Sequence, residues 1–260
     1  MKHEELVSNL KQLYLHEMSS QYFEISKIAE KERKTYEQYL AKLVEVELAA
    51  KHKQKVDRLL REAKIPIYKS LDTYNFNVRE GITVKQINRL ATGQFIRSAG
   101  NVVFYGGIGV GKTHLATALV GMLCQLGFRC LCISTHALIA QLLVAKQNLS
   151  LTALFKRLDK YDLIYCDELG YVPHDQDGAD LFFQLISQRS ERKSMLITTN
   201  LTYSEWDKVF LNLKTTAAAV DRIIYKCETF NIEGESWREM EARKRMVNKD
   251  LTEQDPSITH

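Results

Sequence analysis

The chain has 260 residues, 45% hydrophobic and 26% charged, enough for one α/β domain with a smaller module beside it. Its net charge of +4 permits a polyanionic partner without requiring one, because local clustering outweighs the total. No apolar run nears the roughly 20 residues of a membrane span, and the first ten residues lack the apolar stretch of a signal peptide. The five cysteines are odd in number and lack paired metal-ligand spacing. They read as reduced core thiols of a cytoplasmic protein, and no membrane partner is expected.

Taken in chain order, the first stretch is free of helix breakers. No glycine precedes Gly81, and Pro66 is the only proline before it. Leu6, Leu10, Leu13 and Tyr14 fall on one helical face, as do Tyr36, Leu40, Leu43 and Val46. This predicts a small all-helical module over about residues 1–70, whose expected role is DNA or partner binding and self-assembly. Its last helix carries Val56, Leu59, Leu60 and Ala63 as an apolar stripe. Lys51, Lys55 and Arg58 project roughly opposite, Lys53, Arg61 and Lys64 add charge around it, and Glu62 interrupts the basic face. Such a face is either a solvated surface or a contact for DNA phosphates.

From about Asn101 the pattern alternates between strands and helices, as in a parallel sheet with crossover helices. Strands are expected over 102–105, 129–133, 163–166, 194–199 and 229–232. The α/β domain is assigned to 71–250 and a polar tail to 251–260.

Gly106, Gly107, Ile108, Gly109, Val110, Gly111, Lys112 and Thr113 match G-x-x-x-x-G-K-[ST]. The run follows a short apolar strand and opens a helix from His114 to Gln125, which Gly127 can end. Glycines let backbone amides turn inward around phosphate oxygens, and the helix amino terminus favours negative charge there. Lys112 is expected to neutralise the β- and γ-phosphates of ATP. Thr113 is expected to give a hydroxyl to Mg²⁺, and His114 completes the nucleotide-binding set.

The strand Leu163, Ile164, Tyr165, Cys166 ends in Asp167 and Glu168. Neighbouring strand side chains point to opposite faces, so the two acids can divide the work. Asp167 is expected to hold Mg²⁺ and Glu168 to polarise the attacking water. Leu196, Ile197, Thr198, Thr199 and Asn200 form another strand with a polar end. Asn200 is the candidate for sensing the γ-phosphate; the alternative is a turn-forming asparagine.

The succession of a Walker A loop, an Asp-Glu Walker B strand, a Thr-Thr-Asn sensor and Asp221-Arg222 resembles AAA+ proteins of the helicase-loader group. It is most similar to the IstB transposition helper ATPases. Two flanking segments narrow the choice: the stretch 66–76, from Pro66 to Phe76, and Gly234, Glu235, Ser236, Trp237 and Arg238. The resemblance implies an AAA+ P-loop NTPase with a five-stranded parallel sheet. It implies that Arg222 is an arginine finger reaching ATP on a neighbouring subunit; the alternative is a salt bridge with Asp221 or another acid. It implies that Arg238 is a second sensor within its own subunit, and it suggests Arg189 as a weaker candidate for the subunit boundary.

The group also carries an extra helix between the second and third strands, beside a nucleic-acid groove. Here 137–147 and 151–160 can form two helices, and Lys146, Lys156, Arg157 and Lys160 are the phosphate-contact candidates, with no base reading expected. The function so implied is ATP-dependent assembly on duplex DNA, recruitment of a transposase, and hydrolysis that resets the complex. The alternatives are a replicative helicase loader, a P-loop small-molecule kinase, and a nucleotide-binding scaffold without turnover. The adjacent acids and Asn200 argue against the kinase, and Glu168 argues against the inert scaffold.

Overall fold

Freedom from glycine and proline lets the first helices run long. The computed structural model describes residues 3–67, 69–170, 176–237, 239, 240 and 243. It divides into two units, 1–58 and 59–260, with the boundary inside the third helix. The first unit holds α1 (His3–Gln12), α2 (His16–Lys31) and most of α3 (Tyr36–Glu62). Leu15 at the start of α2 offers no side-chain cap. Instead the buried Glu47 carboxylate of α3 accepts the Glu17 and Met18 amides at 2.8 and 3.0 Å. A negative charge is favourable at that helix end.

Two expected apolar faces are only partly covered. Leu13 and Tyr14 lie beyond the end of α1 in a turn where Tyr14 has φ 58°, and both are exposed. On α3, Leu43 is buried on the flank of Glu47, whereas Tyr36 and Leu40 face outward. The helical period holds there, but this unit has one covered flank and cannot bury the whole stripe.

In the second unit, the end of α3 joins the core: Leu59 and Ala63 are buried, and the Ala63 carbonyl accepts the Cys132 amide at 2.7 Å. Then come α4 (Val84–Ala91), α5 (Gln94–Arg97), β1 (Asn101–Gly106), α6 (Lys112–Gln125) and β2 (Cys130–Ser134). They are followed by α7 (Thr135–Gln147), α8 (Leu151–Leu158), β3 (Leu163–Leu169), α9 (Gln176–Arg189) and β4 (Ser194–Thr199). The last are α10 (Asp207–Phe210), α11 (Leu213–Ile224) and β5 (Cys227–Ile232). The strands pair in parallel in the order β2-β3-β4-β1-β5.

Strand alternation sorts the core into two layers. Val102, Phe104, Cys130, Cys132, Tyr165 and Leu196 face the α4 and α6 side. Val103, Leu131, Ile164, Cys166 and Ile197 face α7, α8 and α9. Four cysteines are buried and Cys227 is half-buried; all five are free thiols.

The β3–β4 register contains one irregularity. Cys166 pairs with Ile197 and Leu169 with Thr199, so Asp167 and Glu168 together oppose the single Thr198. This is a β-bulge, a device that re-aims side chains beside functional sites.

Arg189 corrects an expectation. It is 1% exposed, and its guanidinium donates to the carbonyls of Leu158, Tyr161, Asp162 and Ser194. It ties the end of α9 to the starts of β3 and β4 and cannot reach a neighbouring subunit. Among the described residues, no helix is long and apolar enough to cross a membrane.

Candidate nucleotide-binding site

Because β1 and β4 are adjacent, with β3 on the far side of β4, the loops after all three open onto one end of the sheet. Ligands bind at the carboxyl ends of strands in open parallel sheets. A cavity of about 410 Å³ lies there, and its walls include the P-loop, Glu168, Thr198, Thr199 and Asn200.

The P-loop is shaped by what touches it. Gly111, at φ +100°, begins α6 without any side-chain cap, leaving the first helical amides free for an anion. A β-carbon on Gly111 would lie 2.6 Å from the Tyr74 ring, and one on Gly109 would lie 2.2 Å from Ser236 Oγ. Tyr74 donates its hydroxyl to the Val110 carbonyl at 3.3 Å, and the Trp237 amide donates to the Gly109 carbonyl at 3.0 Å. The loop is thus held between a segment preceding the sheet and one following it. Burial pushes the Tyr74 hydroxyl up to about 12, so it remains a donor.

Lys112 Nζ donates to the carbonyls of Gly106 and Gly107 at 2.8 and 2.6 Å. Burial lowers its pKa, while the carboxylates of Asp167 and Glu168 push the other way. His114 presents Nε2 to the Ser70 carbonyl at 2.8 Å and to Thr73 Oγ1 at 3.3 Å. Its pKa is lowered chiefly by burial, so the neutral ring with hydrogen on Nε2 fits this bond.

Across the cavity, Asp167 Oδ1 accepts from Tyr165 OH at 2.5 Å, Thr198 Oγ1 at 2.5 Å and Thr113 Oγ1 at 3.1 Å. Thr113 and Asp167 therefore bring two hard oxygen ligands together. That set fits Mg²⁺, which takes one or two protein oxygens and fills its octahedron with phosphates and water. Among the described residues there is no cluster of three or more His, Cys, Asp or Glu that would suit a different metal.

Glu168, in the bulge, has φ +58° and an exposed side chain that makes no hydrogen bond or ion pair among the described residues. Its amide donates to Thr198 Oγ1 at 3.0 Å. The bulge sends the two acids in different directions, one held and one free. A non-glycine residue with positive φ is a strained choice that recurs at functional sites.

The structure thus gathers the P-loop, Lys112, Thr113, His114, Asp167, Glu168 and Asn200 at one end of the sheet. Arg222 is not among the residues lining this cavity. It sits on α11 with its guanidinium 5.0 Å from the Phe183 ring, and it donates to the Ala218 carbonyl at 2.9 Å. It forms no salt bridge with Asp221 or another described acid. Arg238 lies outside the described residues.

Of the basic candidates, Lys51 pairs with Glu47 at 3.6 Å and Lys146 with Asp177 at 2.7 Å. Lys55 and Arg58 are exposed on α3. Lys156, Arg157 and Lys160 are exposed, with no partner among the described residues.

Sequence reasoning missed Tyr165 and Thr198, although strand alternation puts residues 165 and 167 on one face. It also missed Lys69, Tyr74, Asn75, Arg79 and Trp237 as cavity walls. The segments that carry most of them stand out in the sequence only as marks of resemblance.

A parallel sheet in this strand order, with a P-loop after β1 and an acidic pair facing the end of β4, is the P-loop fold of the AAA+ type. The family model for IstB-like ATP binding protein matches residues 8–245, and the chain belongs to that family. It is 32% identical over 94% of its length to a Pseudomonas aeruginosa protein named as the ATP-binding protein of insertion sequence IS21, covering 92% of it. It is 31% identical over 91% of its length to the corresponding protein of insertion sequence IS232 from Bacillus thuringiensis subsp. berliner, covering 94%.

Among solved structures, the DnaC helicase loader matches with a TM-score of 0.51 at 24% identity, over 63% of this chain and 96% of that one. DnaI matches at 0.51 and 18% identity, over 69% and 92%. These two likenesses show the fold alone.

Proposed function

We propose that this protein is an ATP-hydrolysing transposition helper that assembles on duplex DNA and engages a transposase. One observation carries the catalytic part: the P-loop lysine, Thr113 and a Glu168 side chain unpartnered among the described residues line one cavity, and Thr113 is bonded to Asp167 at 3.1 Å. Lys112 binds the β- and γ-phosphates, Thr113 and Asp167 hold Mg²⁺, and Glu168 orients water in line with the γ-phosphate. Asn200 reports on that phosphate from the end of β4. When bound, Mg²⁺ supplies neutralisation of charge on the phosphate oxygens. The acceptor is water, because Glu168 is the group suited to polarise it.

The transposase and the DNA are proposed from the insertion-sequence relatives, and both imply work in the cytoplasm. Arg222 is proposed to act on the ATP of a neighbouring copy, consistent with its position away from its own cavity. Arg238 is proposed as a second sensor. The helical module at the amino terminus is proposed to serve partner binding and assembly.

ATP binding and single-turnover hydrolysis test the catalytic reading. Lys112→Ala is expected to lose nucleotide binding, and Glu168→Gln to keep it while losing turnover by about a hundredfold or more. Equal loss of binding in both variants would refute this division of roles.

A further inference from the structure

Tyr165 has no role in the reading above, yet its hydroxyl bonds the carboxylate which that reading gives to the metal. Two residues apart on β3, Tyr165 and Asp167 share one face of the sheet. The Tyr165 ring is 1% exposed and packed in the core layer with Leu115 and Leu119 of α6, so its hydroxyl has one direction in which to point. It meets Asp167 Oδ1 at 2.5 Å, and Thr198 Oγ1 meets the same oxygen at 2.5 Å from the neighbouring strand. With Thr113 at 3.1 Å, this single oxygen accepts from three donors. It has little capacity left, while Oδ2 accepts from no donor among the described residues. The carboxylate is held from one side by two buried groups, Tyr165 and Thr198.

Thr198 does a second thing. Its oxygen also accepts the Glu168 amide at 3.0 Å, at the bulge where both acids oppose it. One hydroxyl therefore sets the side chain of Asp167 and the backbone of Glu168 together.

We propose that Tyr165 and Thr198 are positioning residues for the divalent-cation site, holding the Asp167 carboxylate in the orientation in which it would meet the cation. This inference rests on the assignment of Asp167 to Mg²⁺. Outer groups that orient a metal ligand typically change metal affinity by about 10- to 100-fold when removed. Tyr165→Phe deletes only the donor and keeps the ring in its packing.

The test is calorimetric titration of the full chain with ATP, in EDTA and across a series of Mg²⁺ concentrations. The readout is the ratio of ATP affinity with Mg²⁺ to that without. Tyr165→Phe is expected to keep metal-free ATP binding within about twofold, and both it and Thr198→Val are expected to need about tenfold more Mg²⁺ or above. Thr198→Ser, which restores the hydroxyl, is expected to behave like the wild type. An unchanged Mg²⁺ requirement in both variants, or an equal loss of ATP binding with and without Mg²⁺, would overturn the proposal. If Tyr165→Phe fails to fold, the comparison of Thr198→Val with Thr198→Ser decides alone. Asp167→Asn separates the two levels. A variant that keeps the full Mg²⁺ effect removes the assignment of Asp167 itself. If it loses the effect while Tyr165→Phe and Thr198→Val retain it, only the positioning role falls.

Discussion

Gly111 stands where the backbone must turn left-handed, at φ +100°, while the Tyr74 ring closes over it. Alanine would meet both obstacles at once. A left-handed residue other than glycine costs about 1–2 kcal/mol, and the ring, bonded to the Val110 carbonyl, is held against the new methyl. We expect Gly111→Ala to weaken ATP binding by at least about tenfold, since the strain falls on the amides that face phosphate. Calorimetry alongside thermal unfolding measures both effects, and wild-type ATP affinity would show that the clamp yields. The motif makes Gly111, Lys112 and Thr113 legible because phosphate binding demands those residue types at that spacing. Nothing local marks Glu168 as positive in φ, since the bulge that produces it arises from pairing with β4. Tyr165 is within reach of the alternation rule but reads first as core. Its hydroxyl gains meaning only once Thr198 is known to share its acceptor.

At the scale of elements, buried parallel strands are short apolar runs between turns, which is why all five can be read from the chain with ends shifted by no more than three residues. What periodicity does not supply is coverage. Tyr36 and Leu40 have the right spacing for a core and face outward, because spacing does not say whether a neighbour exists. Arg189 misleads for the complementary reason, as a charge near a helix end suggests solvent until the carbonyls around it are known. Helix α8 is the case where the faces separate cleanly: Leu154, Phe155 and Leu158 point inward, while Lys156 and Arg157, with Lys160 just beyond, are exposed and unpartnered among the described residues. Cations already committed, such as Lys146 to Asp177, would have to break a pair to meet phosphate. Those on α8 would not. If α8 meets duplex DNA, replacing these three by alanine flattens the slope of log affinity against log salt by about 0.9 for each phosphate no longer neutralised. ATP binding to the free protein should not change. An unaltered slope would return this face to solvent and leave Lys51, Lys55 and Arg58 on α3 as the candidates for DNA.

For the whole molecule, the question is what completes the site. The cavity contains a cationic residue for phosphate in Lys112, yet Arg222 lies elsewhere, its guanidinium over Phe183. A charge that stabilises the developing γ-phosphate is worth about 10³–10⁵ in rate in P-loop enzymes that receive it from outside. If Arg222 is that charge, each subunit binds ATP alone but hydrolyses it only when a neighbour supplies the finger. Arg222→Ala should then bind ATP with nearly wild-type affinity and lose turnover in the assembly. Lys112→Ala should fail to bind yet still carry an intact finger. Mixed in one assembly, a site formed by the cradle of the Arg222→Ala subunit and the Arg222 of the Lys112→Ala subunit has every part it needs. Hydrolysis in the mixture should therefore exceed that of either variant alone and peak near equal proportions. Co-sedimentation of differently tagged variants establishes that they assemble together. If they do and no proportion restores turnover, the finger does not act between subunits, and the packing of Arg222 on Phe183 is a contact that supports α9 and α11.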